Sequence, residues 1–221
     1  MGAVVIADKV RIPAWVVDLE SFRRWARSEE FPDRGRFSYL RGEVWVDLSM
    51  EQLFSHNQVK TEYTVVVGGL VRSVNLGYFF SDRTSLSNPS ADLFTEPDGL
   101  FVSWEALRSG RIRLVEGAEE GFVELEGTPD MVLEIISPTS VRKDTVVMRE
   151  LYWHAGIAEF WLVDARGQAP RFEILRHTPE GYVATEAVDG FLPSAVFGKA
   201  FQLTQQTDPL GHPHFTLSVR P

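Results

Sequence analysis

Hydrophobic positions recur with a helical period in three segments of this chain. Between Ser55 and Val74 they are spaced by four, three and one residues, which predicts a long helix that Asn75 and Gly77 close. A second helix is predicted from Asp144 to Ala155. The first segment, capped by Asp18, predicts a short helix with a buried face of Leu19, Phe22, Trp25 and Ala26 and an outward face of Arg23, Arg24 and Arg27.

The segments between these helices carry strand signals. Alternating apolar and polar residues from Phe37 to Leu48, interrupted by Arg41-Gly42, predict a hairpin. The apolar run from Met131 to Ile136 is typical of a strand covered on both faces. Further strands are predicted at Tyr78–Ser81, Asp98–Ser103 and Glu159–Asp164, and a further hairpin at Arg171–Val188.

The order helix, strand, strand, strand, helix, strand, preceded by a hairpin, predicts a mixed α/β fold. We expect one domain over residues 18–203, an N-terminal extension over 1–17 and an irregular C-terminal tail over 204–221. The polar stretch between Ser81 and Asp98 is interpreted as a surface loop. Trp104–Ser109 is interpreted as a helical turn and Gly110–Gly121 as a charged connector.

Composition narrows the chemistry that this chain can perform. It has 221 residues, a formal net charge of -9 and no cysteine. Without thiolates, catalysis and metal binding must use oxygen and imidazole groups, which favours hard cations. The acidic balance argues against a protein that coats nucleic acid by charge alone. The longest apolar stretch, Val65 to Val71, is too short for a membrane helix, and we expect a cytoplasmic protein with no membrane partner.

Glu134 stands alone within the apolar run from Met131 to Ile136. Burying a lone carboxylate costs several kcal/mol or shifts its pKa, so a cation, a metal or a network of donors is expected to meet it. The alternative is an acid at a strand edge that pairs with an arginine. Taken alone, Glu134 supports both interpretations equally.

Asp98 follows Glu96 and Pro97 at the start of the strand that continues through Val102. Neighbouring strands could bring it beside Glu134, and two converging carboxylates repel each other unless a divalent cation lies between them. The alternative is an acid that caps a turn. Together with Glu134 and the element order, Asp98 becomes a candidate metal ligand.

The segment from Pro129 to Asp164 carries a specific motif. It reads Pro-Asp-Met-Val-Leu-Glu-Ile-Ile-Ser-Pro-Thr-Ser, then Arg142-Lys143-Asp144, Tyr152, Ala155-Gly156-Ile157 and Glu159-Phe160-Trp161-Leu162-Val163-Asp164. This motif resembles the Uma-type family of bacterial putative restriction endonucleases, within the PD-(D/E)xK nuclease superfamily. The resemblance extends upstream through Glu96–Val102, His56 and Arg41–Val44, and covers most of residues 18–203.

The resemblance implies a restriction-endonuclease-like core, a mixed sheet flanked by helices, with an N-terminal and a C-terminal hairpin. It implies a metal-dependent DNA endonuclease in which Asp98 and Glu134 hold Mg²⁺ or Mn²⁺, with the carbonyl of Ile135 as a further ligand. Such an ion would lower the pKa of bound water and offset charge that develops on a phosphodiester. Glu43, by the same resemblance, joins the cluster. An exposed strand acid is an equally good interpretation of Glu43.

The superfamily's lysine, two residues after the glutamate, is replaced by Ile136, and its position in this family corresponds to Met148. Lys143 or Arg149 could substitute, and Lys143 is favoured because Arg149 points about 100° away from Met148 on a helix. A solvated surface lysine is the alternative. The missing lysine also keeps open a catalytically impaired protein that acts as a binding or assembly module.

Other polar residues have structural as well as functional interpretations. His56 could assist catalysis or cap the long helix, Tyr152 is expected in the core, and Asp164 is interpreted as a hydrogen-bond acceptor at a turn. We expect weak, salt-sensitive DNA binding and a homodimer that joins two patches. The candidate phosphate contacts are Arg108, Arg111, Arg113 and the pair Arg142-Lys143.

Overall fold

The computed structural model describes residues 3–6, 10–117 and 119–221, with side chains from residue 10 onward. Parts of the predicted N-terminal extension (1, 2 and 7–9) and of the predicted connector (118) lie outside these residues. The helices are α1 (Leu19–Ala26), α2 (Val59–Ser73), α3 (Trp104–Ser109) and α4 (Met148–His154), with π-helical turns at Leu53–Gln58 and Lys143–Val147 and a 3₁₀ turn at Pro89–Ala91. No described helix is long and apolar enough to cross a membrane.

The strands of the described residues are short and numerous. The first nine are β1 (Ala3–Ile6), β2 (Val10–Pro13), β3 (Arg36–Leu40), β4 (Glu43–Asp47), β5 (Gly77–Ser81), β6 (Ser85–Asn88), β7 (Leu93–Thr95), β8 (Gly99–Ser103) and β9 (Ile112–Glu116). The others are β10 (Phe122–Gly127), β11 (Met131–Ile135), β12 (Glu159–Asp164), β13 (Arg171–Thr178), β14 (Gly181–Ala184), β15 (Leu192–Ser194), β16 (Lys199–Thr207) and β17 (Pro213–Arg220).

The central sheet has the strand order β14-β13-β12-β11-β8-β5, with β11 and β12 parallel and the other pairs antiparallel. Alternate residues of β11 enter two different hydrophobic clusters. Met131 and Leu133 pack with α2, whereas Val132 packs with α4. The strand is therefore covered on both faces, as its apolar run predicted. The order α2, β5, β8, β11, α4, β12 confirms the predicted mixed α/β fold class.

A second six-stranded sheet has the strand order β4-β3-β7-β6-β10-β9. Its hairpin β3–β4 turns at Arg41 (φ 49°) and Gly42 (φ 85°), the positive pair that a type I′ turn requires. The predicted surface loop between Ser81 and Asp98 is wrong, since it contains β6 and β7. The interpretation of residues 110–121 as a connector missed β9. Strand β6 is polar, and its Ser87 is buried against a partner distant in the chain, since Ser87 Oγ donates to Glu124 Oε1 at 2.5 Å.

Helix α1 begins as predicted, with the Asp18 side chain accepting a hydrogen bond from Ser21 N. The outward orientation predicted for Arg23 is wrong, because only 7% of this residue is exposed. Its guanidinium faces β10, where Nε donates to Glu124 Oε1 at 2.6 Å and NH2 pairs with Glu126. A buried ion pair thus joins α1 to the second sheet.

The irregular C-terminal tail predicted from Thr204 is also wrong. Strands β16 and β17 form a long hairpin, with β15 on its other edge, and Phe215 and Leu217 pack in the same cluster as α2. Glu62 of α2 accepts a hydrogen bond from Leu217 N at 2.8 Å. Threonine, serine and glutamine residues weaken the alternation of apolar and polar positions in this hairpin, so the pattern alone did not predict strands. The pairing of each strand with its neighbour determines the structure.

Candidate active site

Asp98 and Glu134 come from neighbouring strands of the central sheet. Strand β8 pairs antiparallel with β11 so that Leu133 lies opposite Gly99, and one further step in this register sets Asp98 beside Glu134. Each of the two acids is 3% exposed. Both line a cavity of about 230 Å³, together with Arg36, Phe37, Ser38, Trp45, Val46, Asp47, Glu96, Ile135, Ser137, Thr139, Ser140, Lys143 and Asp144.

Asp98 is held by donors from three parts of the chain. Its Oδ2 accepts from Ile135 N at 2.8 Å and lies 3.3 Å from His56 Nε2, while Oδ1 lies 3.3 Å from Arg36 NH1. Burial would raise the pKa of Asp98, but the hydrogen bond and charge of His56, the charge of Arg36 and the Ile135 N–H together lower it to about 2. Asp98 is therefore ionised at neutral pH, and it is not enclosed by a bidentate arginine.

Glu134 has the opposite electrostatic environment. Its Oε1 accepts a hydrogen bond from the hydroxyl of Tyr152 at 2.5 Å, and the described residues provide no hydrogen bond to Oε2. Burial raises the pKa of Glu134 to about 8; Asp144 and Asp98 add to this, and Lys143 and the Tyr152 hydroxyl oppose it. Burial and two neighbouring acids thus disfavour the charged form of Glu134, and a bound cation would favour it.

Lys143 begins the π-helical turn that precedes α4, and its ammonium enters the same cavity. Nζ lies 2.9 Å from Asp144 Oδ1, and the side chain is 22% exposed. Burial lowers the pKa of Lys143, but the charges of Glu134 and Asp144 outweigh burial and raise it. The two other positions considered for a lysine or its substitute lie elsewhere, because Met148 is fully buried in the core and Arg149 donates to the carbonyl of Tyr182 at 3.0 Å.

A chain of ion pairs continues from Asp98 along the start of α2. His56 Nδ1 lies 2.6 Å from Glu51 Oε1, and Lys60 Nζ donates both to Glu51 Oε1 at 2.5 Å and to Asp82 Oδ1 at 3.0 Å. Burial and the charge of Arg36 lower the pKa of His56, but its hydrogen bond with Asp98, the charge of Asp98 and its hydrogen bond with Glu51 raise it overall. The sequence interpretation named His56 alone. The spacing of His56 and Lys60, one turn apart on a single helix face, was the available signal for the rest.

The acid that β4 contributes to the cavity is not the one that the resemblance implied. Glu43 is exposed and accepts a hydrogen bond from Trp45 Nε1 at 3.2 Å, and it is outside the lining of the cavity. The acid that β4 contributes is Asp47, whose Oδ2 accepts from Thr139 Oγ1 at 2.8 Å. Glu43 and Asp47 lie four residues apart on one strand, and only the latter is at the strand end beside the cavity. Asp164 is held by Arg166 at 2.8 Å, at the turn after β12.

The basic side chains predicted to contact phosphate are mostly paired with acids. Arg111 pairs with Asp130 at 2.5 Å, and Arg113 pairs with Glu126 at 2.7 Å. Neither lines the cavity. The basic side chains that line the cavity with Asp98 and Glu134 are those of Arg36 and Lys143.

The donor chemistry of the cavity fits a hard divalent cation. The carboxylate-bearing residues Asp98 and Glu134 line this cavity together with Ile135. Among the side chains that the structure describes, no group of three or more histidine or acidic residues is arranged to hold a metal by itself. Mg²⁺ is commonly bound through one or two carboxylates, with water and substrate phosphate as the remaining ligands. These residues therefore suit an ion that is completed by substrate.

The structure is similar to the crystal structure of a putative nuclease belonging to DUF820 from Anabaena variabilis, with a TM-score of 0.59 and 19% sequence identity, over 82% of this chain and 91% of that chain. The sequence profile of the Uma2 family, described as putative restriction endonuclease, matches residues 19–206. The chain belongs to this family. Comparison with proteins of curated function finds no match.

Proposed function

We propose that this protein is a metal-dependent DNA endonuclease that hydrolyses phosphodiester bonds, with Mg²⁺ or Mn²⁺ held by Asp98, Glu134 and the Ile135 carbonyl. The observation that carries the proposal is that two buried acids, distant in sequence, line one cavity together with Lys143. Membership of the Uma2 family supports the same class of reaction. Hydrolysis adds the oxygen of one water to the phosphorus and releases the sugar oxygen, which leaves with a proton.

Each residue has a role that follows from its environment. The ion, when bound, would supply Lewis acidity that lowers the pKa of water and offsets phosphate charge. Asp98 is ionised, and Ile135 N–H and His56 hold its carboxylate in position, so its negative charge would attract a cation. Tyr152 orients Glu134 through its hydroxyl. Lys143 contributes a positive charge beside both acids and would stabilise the negative charge that develops on the phosphate.

The metal site is tested by thermal unfolding with and without Mn²⁺. The Asp98→Asn and Glu134→Gln variants keep the shape of each side chain but remove its charge. A ligand at one hundred times its Kd stabilises a protein by about 2.7 kcal/mol, so the melting temperature of the parent rises with Mn²⁺ and that of the variants does not. Glu30→Gln, at an exposed acid, responds as the parent does. Equal responses from all four proteins would rule out this metal site.

Cleavage of DNA is the second measurement. Purified protein is incubated with plasmid and with single-stranded DNA in Mg²⁺, and products are resolved on a gel. We expect cleavage by the parent and by Glu30→Gln and none by Asp98→Asn. Cleavage that survives in Asp98→Asn at the parent's rate contradicts the assignment of that acid.

A non-catalytic binding or assembly module is the second candidate. It is favoured by the extent to which the acids are already neutralised, since Arg36 and His56 both lie 3.3 Å from Asp98 and Lys143 lies beside Asp144. A module of this kind would bind DNA without cleaving it under any divalent ion. The expected homodimer is a separate proposal, and sedimentation velocity of the full chain tests it.

A further inference from the structure

The candidate metal ligands are recessed below the protein surface. Asp98 and Glu134 are each 3% exposed, and Asp144 is 1% exposed. The cavity walls around them come from β3, from β4 and from the loop that contains Ser137 and Ser140. A phosphate must therefore pass between these walls before it reaches the acids.

Continuous duplex DNA is poorly suited to such a passage. Its persistence length is about 50 nm, so the backbone cannot bend sharply over a few nucleotides without a large cost in energy. A flexible unpaired strand can turn one nucleotide inward while the neighbouring nucleotides remain on the surface. The recessed acids thus favour a substrate whose scissile phosphate belongs to unpaired DNA.

The wall contributed by β4 has the chemistry of a base-binding surface. Trp45 is partly exposed and lines the cavity, and its Nε1 donates to Glu43, which orients the indole. The guanidinium of Arg142 lies over the ring, 5.9 Å from its centroid. Aromatic rings and guanidinium planes are the groups on which proteins stack unpaired bases. Lys143, the next residue along the chain, carries the charge that would meet the phosphate.

We propose, on the basis of the proposed nuclease function, that the cavity accepts one unpaired nucleotide. Its base packs against the Trp45 indole, and its phosphate lies between Lys143 and the pair Asp98 and Glu134. The protein then acts on single-stranded or locally unpaired DNA, and continuous duplex is a poor substrate. Trp45 and Arg142 become substrate-binding residues of the site.

Fluorescence anisotropy with the full-length protein tests this inference. The probes are a labelled dT12 strand, a blunt duplex of equal length and a duplex with a central four-nucleotide mismatch bubble. Ca²⁺ is present as a hard cation for the acids. We expect the strand and the bubble to bind at least about tenfold more tightly than the blunt duplex. Equal affinities for all three probes would overturn the proposal.

Variants at Trp45 test the stacking itself. Loss of one base–aromatic stack weakens binding by roughly 5- to 150-fold, so Trp45→Ala is expected to lose affinity for dT12 within that range, whereas Trp45→Phe keeps most of it. Trp104→Phe, at a tryptophan outside the cavity, binds as the parent does. Because Trp45→Ala could unfold, quenching of tryptophan fluorescence by dT12 is compared between the parent and Trp45→Phe. Quenching of equal depth in these two proteins excludes Trp45 as the contact.

The Mn²⁺ melting measurement is made on the same preparations. If Mn²⁺ does not raise the melting temperature, the proposed metal site is wrong, whichever DNA the protein binds. If Mn²⁺ raises the melting temperature but blunt duplex binds as tightly as dT12, only the inference about unpaired DNA is wrong. The two proposals therefore fail separately.

Discussion

Replacing Glu134 with glutamine is expected to stabilise the metal-free protein, because this acid is held in a position that disfavours its charge. Its pKa is raised to about 8, chiefly by burial. The unfolded chain releases the proton near pH 4.3, whereas the folded protein keeps it until about pH 8. At pH 7 this difference lowers the free energy of unfolding by about 3–4 kcal/mol.

Glutamine removes the titration and keeps the side-chain shape. Its carbonyl oxygen can still accept from the Tyr152 hydroxyl, but the amide places an NH₂ group in a buried site where a carboxyl oxygen stood. Burial of these donors offsets part of the gain, and we expect a net stabilisation of about 1–2 kcal/mol. For a chain of this length each kcal/mol shifts the melting temperature by roughly 2–4 °C, so the expected rise is about 2–8 °C.

The assay is thermal or urea unfolding in chelator at several pH values. The folded-state pKa is raised, so the contribution of Glu134 to stability is fully present below the unfolded pKa and is lost as pH rises through about 8. The stability of Glu134→Gln relative to the parent should therefore grow from pH 5 to pH 8. Glu30→Gln shows no such trend. A variant less stable than the parent at pH 8, or a difference independent of pH, would refute this reasoning.

Three further predictions concern the ion pair of α1, the C-terminal hairpin and Lys143. Arg23→Met removes the cation that lies nearest to the buried Glu124 carboxylate and should cost about 3–5 kcal/mol in urea unfolding. A loss below about 1 kcal/mol would contradict a structural role for this pair. Leu217→Ala should cost about 2–5 kcal/mol because Leu217 is buried against α2. Val219→Ala, at an exposed position of the same strand, should change stability little, and similar losses in both variants would contradict the packing of the hairpin. Lys143→Met should abolish DNA cleavage in Mg²⁺ while the Mn²⁺ melting response persists, and unchanged cleavage rates would exclude Lys143 from the reaction.

The elements that the sequence predicted correctly are those with local signals. The period of α2, the apolar run of β11 and the turn at Arg41-Gly42 each depend on residues close together in the chain. A single acid inside the run of β11 identified Glu134 as unusual for the same reason, since its neighbours in sequence are also its neighbours in the strand. The order of these elements was sufficient to predict the mixed α/β core.

The elements that the sequence missed depend on partners that are distant in the chain. Strands β6 and β7 have only four and three residues, and they are strands because other segments pair with them. The helical position of Arg23 suggested exposure to solvent. Arg23 is buried instead because it pairs with Glu124, which lies about a hundred residues further along the chain. Long-range ion pairs leave no periodic trace in a sequence, so periodicity could not reveal them.

The cavity shows the same division between local and tertiary information. Local context in the sequence identified Asp98 and Glu134 as candidates, and the family resemblance added Lys143. Only the tertiary structure brought Arg36 and His56 to Asp98 and set Trp45 in the cavity wall. The local chain determines which side chains are costly to bury, whereas the pairing of distant strands and helices decides which charges meet them. The electrostatics of this cavity therefore belong to the fold rather than to any one segment.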